Sequence, residues 1–193
     1  MTVRSKTKKQ IFFAHSGGEQ ESHGKGSYDL VLFLRAELGD KFNVHYPIIE
    51  KPEEPTYAMW NKMLKTEFTK LKDSVILIGH SLGGSMLLKF LSEEQIKLEI
   101  TALFLIAAPW WGKEGWNVDE FVLKKNFVST LPDIPLISFY HSKNDEIVPY
   151  QHLSFYRNLF PSAFIHEVKG KDHAFQKGLP ELVEVIKDIE DEF

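Results

Sequence analysis

Apolar residues gather into six short runs rich in β-branched and aromatic side chains: Ile11–Ala14, Phe42–Tyr46, Val75–Ile78, Ala102–Ala107, Leu136–Tyr140 and Ala163–Val168. Their nearly continuous apolar character predicts strands covered on both faces, as parallel strands are. The stretches between them carry helical spacing. Tyr28–Leu38 sets Leu30, Phe33, Leu34 and Leu38 on one face, and Thr56–Lys72 does the same with Met59, Met63, Leu64 and Leu71. Leu82–Leu91, Pro149–Leu159 and Leu179–Ile189 read alike. Strands alternating with helices predict an α/β fold: a doubly wound, mostly parallel six-stranded sheet with helices on both faces. One segment breaks the rhythm. Pro109–Pro132 opens Pro109-Trp110-Trp111-Gly112, adds Trp116 and suggests one short helix near Val118–Asn126. It reads as a small cap insertion at about 110–132, over the sheet edge where ligands bind in open α/β folds.

Composition narrows the function classes. The 193 residues suit a single domain, 1–193, large enough to bury about 70% of its unfolded surface. A hydrophobic share of 43% and a charged share of 26% exclude a disordered or fibrous chain. Lys and Arg number 23 against 27 Asp and Glu, a net charge of −4, which offers no footprint for nucleic acid or an anionic membrane. With no cysteine there is no disulfide framework, thiolate nucleophile or cysteine-ligated metal. The basic opening Met1–Gln10 has no apolar signal core after it, and no apolar run reaches membrane-spanning length. A soluble, cytoplasmic protein is expected.

Chemistry enters with Gly79-His80-Ser81-Leu82-Gly83, a G-x-S-x-G pattern between the strand Val75–Ile78 and the helical run from Ser85 to Leu91. A strand-to-helix turn this tight puts the serine in strained dihedrals, and the crowding favours glycine two positions to either side. The hydroxyl then stands clear of the sheet at the positive end of the next helix. The plainer alternative is a tight turn with Ser81 as helix N-cap.

A serine needs a base to take its proton. His173, in the turn Gly170-Lys171-Asp172-His173 after the last strand, lies at the correct edge. His45 and His166 sit within strands, His152 opens a helix, His23 lies in a polar loop and His80 is locked beside the serine. His141, ending the fifth strand, is the one serious rival. Asp145, in Ser142-Lys143-Asn144-Asp145 after that strand, can hold the base's tautomer. Its competing use is an Asx turn before Pro149.

The developing oxyanion needs fixed N–H donors. Leu82, following the serine, is one. A strand order of 2-1-3-4-5-6 makes Gly17, in His15-Ser16-Gly17-Gly18 after the first strand, the second. Gly18 to Gly24-Lys25 has one residue too many for a phosphate-binding loop and lacks the Ser or Thr after its lysine. His15 and His23 near Glu19 and Glu21 read as polar loop, so no metal is assigned. His15, Trp110, Trp111 and Trp116 are candidates for the substrate pocket, ordinary core packing being the alternative for the tryptophans.

Together these residues resemble the α/β-hydrolase superfamily across essentially the whole chain, including its order of serine, acid and histidine. The short length and small cap resemble the compact serine hydrolases that include retinoblastoma-binding protein. The resemblance implies a Ser81 nucleophile, a His173 base and an Asp145 acid, with no cofactor. Many members carry His-Gly where this chain has His15-Ser16, a departure in the loop that carries Gly17. The function expected is hydrolysis of a small carboxylic ester or thioester through an acyl-enzyme. The alternatives are a protein-interaction module on the same scaffold and a lyase or perhydrolase using the same triad.

Overall fold

The apolar runs form strands because each has two faces to bury. In a computed structural model, which describes residues 8–72, 74–170 and 172–192, they become β1 (Lys9–Ala14), β2 (Phe42–His45), β3 (Ser74–His80), β4 (Glu99–Ile106), β5 (Leu136–Ser142) and β6 (Phe164–Val168). Met1–Thr7 of the basic opening and Lys171 of the histidine turn lie outside the described residues. The sheet order is β2-β1-β3-β4-β5-β6 with every pairing parallel. Successive side chains alternate between two cores. Phe12, Leu77, Leu103 and Leu105 enter one, while Ile11, Phe13, Ile76, Ile78, Phe104 and Ile106 enter the other.

Helices α1 (Tyr28–Leu38) and α6 (Pro180–Glu192) cover the second core; α2 (Tyr57–Phe68), α3 (Leu82–Glu93), α4 (Phe127–Thr130) and α5 (His152–Leu159) cover the first. α2 stops four residues before the expected Lys72, because Lys70 and Leu71 turn their N–H groups to carbonyls three residues back. α3 is not the one-faced helix its spacing suggests. Leu82 through Leu91 are all buried, since α2 and the 110–132 insertion flank it. Even Lys89 is enclosed, its Nζ donating to Glu93 Oε1 (3.1 Å) and the Val122 carbonyl (2.9 Å).

The insertion itself corrects an expectation. One helix over Val118–Asn126 is replaced by a 3-10 turn at Asp119–Phe121 and the four-residue α4. Phe121 and Phe127 are both buried in the same core. Six residues apart, they would point about 120° away from each other on one continuous helix, and the chain breaks between them so that both reach that core. Among the described residues no helix is long and apolar enough to cross a membrane.

Candidate active site

Ser81 sits where β3 turns into α3, with φ 51° and ψ −123°, a conformation costing about 1–3 kcal/mol in a residue with a Cβ. Its N–H donates to the Ile106 carbonyl of β4 at 2.7 Å, which anchors the turn to the sheet. The flanking glycines are needed, though not to clear the serine itself. A Cβ on Gly79 would lie 2.5 Å from the Gly84 Cα. One on Gly83 would lie 2.3 Å from the Ala14 carbonyl oxygen and 2.4 Å from that of His15. The elbow is therefore wedged between the start of its own helix and the end of β1.

The structure brings Ser81, His173 and Asp145 into one hydrogen-bonded line. His173 Nε2 is 2.9 Å from Ser81 Oγ, and its Nδ1 is 2.8 and 3.0 Å from the two Asp145 oxygens. A carboxylate only accepts, so Nδ1 carries the hydrogen and Nε2 presents its lone pair to the serine hydroxyl. An imidazole so held can take a proton from that hydroxyl. Asp145 also accepts the N–H groups of Ile147 (2.9 Å) and Val148 (2.8 Å) through Oδ1. The Asx turn and the histidine partner are thus two uses of one carboxylate. Its side chain is fully buried. Burial works against its charge, but hydrogen bonds from His141 and His173, the electrostatic pull of the His173 ring and the Val148 N–H outweigh that and hold it well below the ordinary carboxylate range.

His141 does not compete for the serine. Its Nε2 is 2.9 Å from the Val148 carbonyl and 3.5 Å from Asp145 Oδ2, so it faces the acid from behind. Glu146 is exposed, and Asp172 accepts the Gln176 N–H.

Gly17 lies against Leu82, with a Cβ built on it 3.8 Å from the leucine Cδ2. Leu82 begins α3, so its N–H has no intrahelical acceptor. The loop carrying Gly17 has no regular structure; Gln20, buried at 1% exposure, holds it. Gln20 Nε2 is 3.0, 3.2 and 2.7 Å from the carbonyls of Ser16, Gly17 and Gly18.

A cleft of about 440 Å³ opens over Ser81 and His173, lined by Gly17, Leu82, Trp111, Trp116, Phe121 and Ile147 among others. Among the described residues no Lys, Arg, Asp or Glu lines it. Two expected pocket residues are absent from this lining. His15 is fully buried, its Nδ1 2.5 Å from the Ser16 carbonyl and its Nε2 accepting the Ile49 N–H, with its ring against Trp60 at 4.6 Å. It is a strut because both nitrogens face protein, and burial pushes its pKa down to about 4. Trp110 turns into the core against Phe127 and Tyr156.

The model of a family described as serine hydrolase matches residues 38–179, about three quarters of the chain, from β2 to the turn before α6. The chain belongs to the serine hydrolase family. No curated protein sequence matches it. Among solved structures this serine hydrolase is similar to the ydeN gene product from B. subtilis (20% identity, TM-score 0.78, covering 95% of this chain and 99% of that one). It is also similar to the meta-cleavage product hydrolase CumD from Pseudomonas fluorescens IP01 (12%, TM-score 0.71, 97% and 92%) and to Est1E from Butyrivibrio proteoclasticus with ferulic acid bound (17%, TM-score 0.63, 98% and 90%). At these identities the likeness is one of fold.

Sequence reasoning about this serine hydrolase passes over Gln20 and Ser27. Neither sits in a motif, and a glutamine in a loop of Gly, Glu, Ser and Lys reads as solvated. His80 is visible in the motif, but only as a residue unable to reach the serine.

Proposed function

We propose that the chain hydrolyses small, uncharged carboxylic esters or thioesters through an acyl-enzyme on Ser81. The observation that carries this reading is the single imidazole, His173, bonded on one side to Ser81 Oγ and on the other to a buried, ionised Asp145. Ser81 Oγ attacks the carbonyl carbon as its proton passes to His173 Nε2. The N–H groups of Leu82 and Gly17 hold the oxyanion. The alkoxide leaves with the proton from His173. Water then repeats the steps and releases the acid. Asp145 stays ionised and fixes the imidazole tautomer throughout. These steps call on no cofactor.

The cleft supports the substrate class. Burying an unpaired charge among Trp111, Trp116, Phe121 and Leu82 is costly, so both sides of the scissile bond are neutral. Two tryptophans and a phenylalanine favour a flat or aromatic acyl group, and the ferulic acid held by Est1E is an acid of that kind.

Labelling by a fluorophosphonate probe tests the reading. Wild type is expected to label, and the folded variants Ser81→Ala and His173→Ala are not. Folded wild type that resists labelling would overturn the proposal and bring the interaction-module reading forward.

A further inference from the structure

Behind the catalytic line proposed above runs a second buried line of polar groups, and His80 is its centre. The His80 ring is fully buried, with Nε2 2.8 Å from the backbone carbonyl of His173 and Nδ1 2.8 Å from Ser27 Oγ. A carbonyl only accepts, so Nε2 carries the hydrogen and Nδ1 accepts the Ser27 hydroxyl. Ser27 Oγ in turn accepts the backbone N–H of Ser16 at 2.9 Å and lies 3.2 Å from the Ser16 hydroxyl. Its own N–H donates to Gln20 Oε1 at 2.9 Å, where Tyr46 also donates at 2.7 Å. The other end of Gln20 holds the carbonyls of Ser16, Gly17 and Gly18. Every step of this line is a direct protein–protein bond.

We propose that His80 is a positioning residue: a neutral imidazole beside the nucleophile that ties the loop carrying the acid–base histidine to the loop carrying Gly17. The reasons are geometric. Ser81, His173 and Gly17 follow three different strands, β3, β6 and β1; β1 pairs with β3 only as far as Ala14 and Gly79, and β6 pairs with neither. His80 is the last residue of β3, so its backbone is fixed by the same elbow that fixes Ser81. Its side chain reaches one neighbouring loop through each nitrogen. Displacements of about 1 Å at a reacting group cost around 100-fold in rate, so a clamp on two of the three loops acts on turnover more than on substrate capture. Burial keeps the ring uncharged and so unable to shuttle protons near neutral pH. The role is alignment.

This inference rests on the hydrolase reading, and one set of measurements separates them. The rates of fluorophosphonate labelling and of turnover on a neutral p-nitrophenyl ester are compared for wild type, His80→Phe, His80→Gln and Ser27→Ala. His80→Phe keeps the bulk and removes both bonds, and is expected to lower kcat about 10- to 100-fold with KM changed less than about threefold. His80→Gln offers an amide N–H toward His173 and should recover about half of that loss on a logarithmic scale. Ser27→Ala cuts the line beyond His80, costs about 3- to 10-fold, and adds nothing when combined with His80→Phe. If His80→Phe does not fold, His80→Gln and Ser27→Ala decide through kcat and their combined effect. A folded His80→Phe within twofold of wild type in kcat, or effects of Ser27 and His80 that simply multiply, overturns the positioning role while leaving the hydrolase intact. Wild type that neither labels nor turns over ester overturns both.

Discussion

The nucleophile elbow and the loop facing it across the cleft are rigid for different reasons. At the elbow the backbone itself is wedged: Gly79 against Gly84, Gly83 against the last carbonyls of β1, and a wholly buried α3 behind. The loop from His15 to Ser27 has no regular structure, and its close approach at Gly26 is to the side chain of Gln20, where that of Gly79 and Gly83 is to backbone. Its shape comes from side-chain hydrogen bonds, chiefly those of Gln20 and Ser27. Steric rigidity cannot be tuned by degrees, because two atoms either fit or do not. Polar rigidity is graded, and it depends on the protonation of its members.

The sharpest way to break the comparison is Gly83→Ala. The new methyl would lie 2.3 Å from a backbone oxygen that β1 holds in place. Little folded protein is expected, and no fluorophosphonate labelling from what does fold. Gly18→Ala, on the opposing loop, meets nothing within 4 Å and carries only the cost of its positive φ, about 1–2 kcal/mol. Far-ultraviolet circular dichroism and labelling on the two variants distinguish a wedge from a tether; comparable behaviour would erase the distinction.

Asp145→Asn follows in size. The amide can keep the Ile147 and Val148 bonds but no longer fixes the tautomer of His173. Turnover is expected to fall about 10⁴-fold with the fold retained. A loss below about tenfold would mean that the His173 tautomer is fixed without the carboxylate.

The same contrast accounts for what the sequence made legible. Strands were readable because parallel strands covered on both faces must be apolar at nearly every position; five of the six lie within two residues of the apolar runs at each end, and β4 starts three residues earlier, at Glu99. Ser81 was readable because a wedged turn forces glycine at fixed spacing. His173 and Asp145 follow from their place after β6 and β5; His173 lies within hydrogen-bond distance of Ser81, and Asp145 within that of His173. The insertion was misread because local periodicity cannot show that Phe121 and Phe127 seek one core. His15 was misplaced for a related reason: position at the sheet's edge says nothing about which way a ring turns, and this one turns inward to Trp60 and Ile49. Gln20 and Ser27 left no signal at all, since a side-chain hydrogen bond imposes no pattern on its neighbours.

Gln20→Leu tests the tether directly. Leucine fills similar space but leaves the Gly17 and Gly18 carbonyls and the Ser27 N–H without their Gln20 partner, while the Ser16 carbonyl keeps His15 and the Tyr46 hydroxyl keeps the residue-20 carbonyl. An orphaned buried group costs about 1–3 kcal/mol, and the loop is expected to rearrange toward solvent to avoid that. The predicted result is a loss of about 10- to 100-fold in kcat on a neutral ester with the global fold intact. Hydrogen exchange should rise over residues 15–27 and not over α3. Exchange rising equally in both would show that the loop and the elbow form one cooperative unit.

Acid should act on the same side of the site, with a smaller effect. His15 lies in the polar-held loop and His80, at the elbow, is bonded to that loop through Ser27; burial, first among the causes, pushes their pKa values down to about 3 for His80 and about 4 for His15. An imidazole in the unfolded chain titrates near 6.5. Above that pH neither state binds the proton, and the full stability is present. As pH falls below about 6.5 the unfolded chain gains protons that the folded one refuses, so stability declines until the folded pKa values are reached. At pH 5.5 the loss is about 1.4 kcal/mol for each ring, or roughly 2–4 °C of melting temperature per kcal/mol at this chain length. His152 and His166, also lowered by burial, lean the same way. Asp145 does not contribute in this window, because its depressed carboxyl loses stability only below the ordinary carboxylate range. Melting curves at pH 7.5 and 5.5 should therefore differ by several degrees. His15→Gln, which keeps a polar side chain but cannot titrate, should remove about 1.4 kcal/mol of the difference. A melting temperature unchanged between the two pH values would mean that the buried imidazoles gain protons in the folded state, and that the loop is looser than its hydrogen bonds imply.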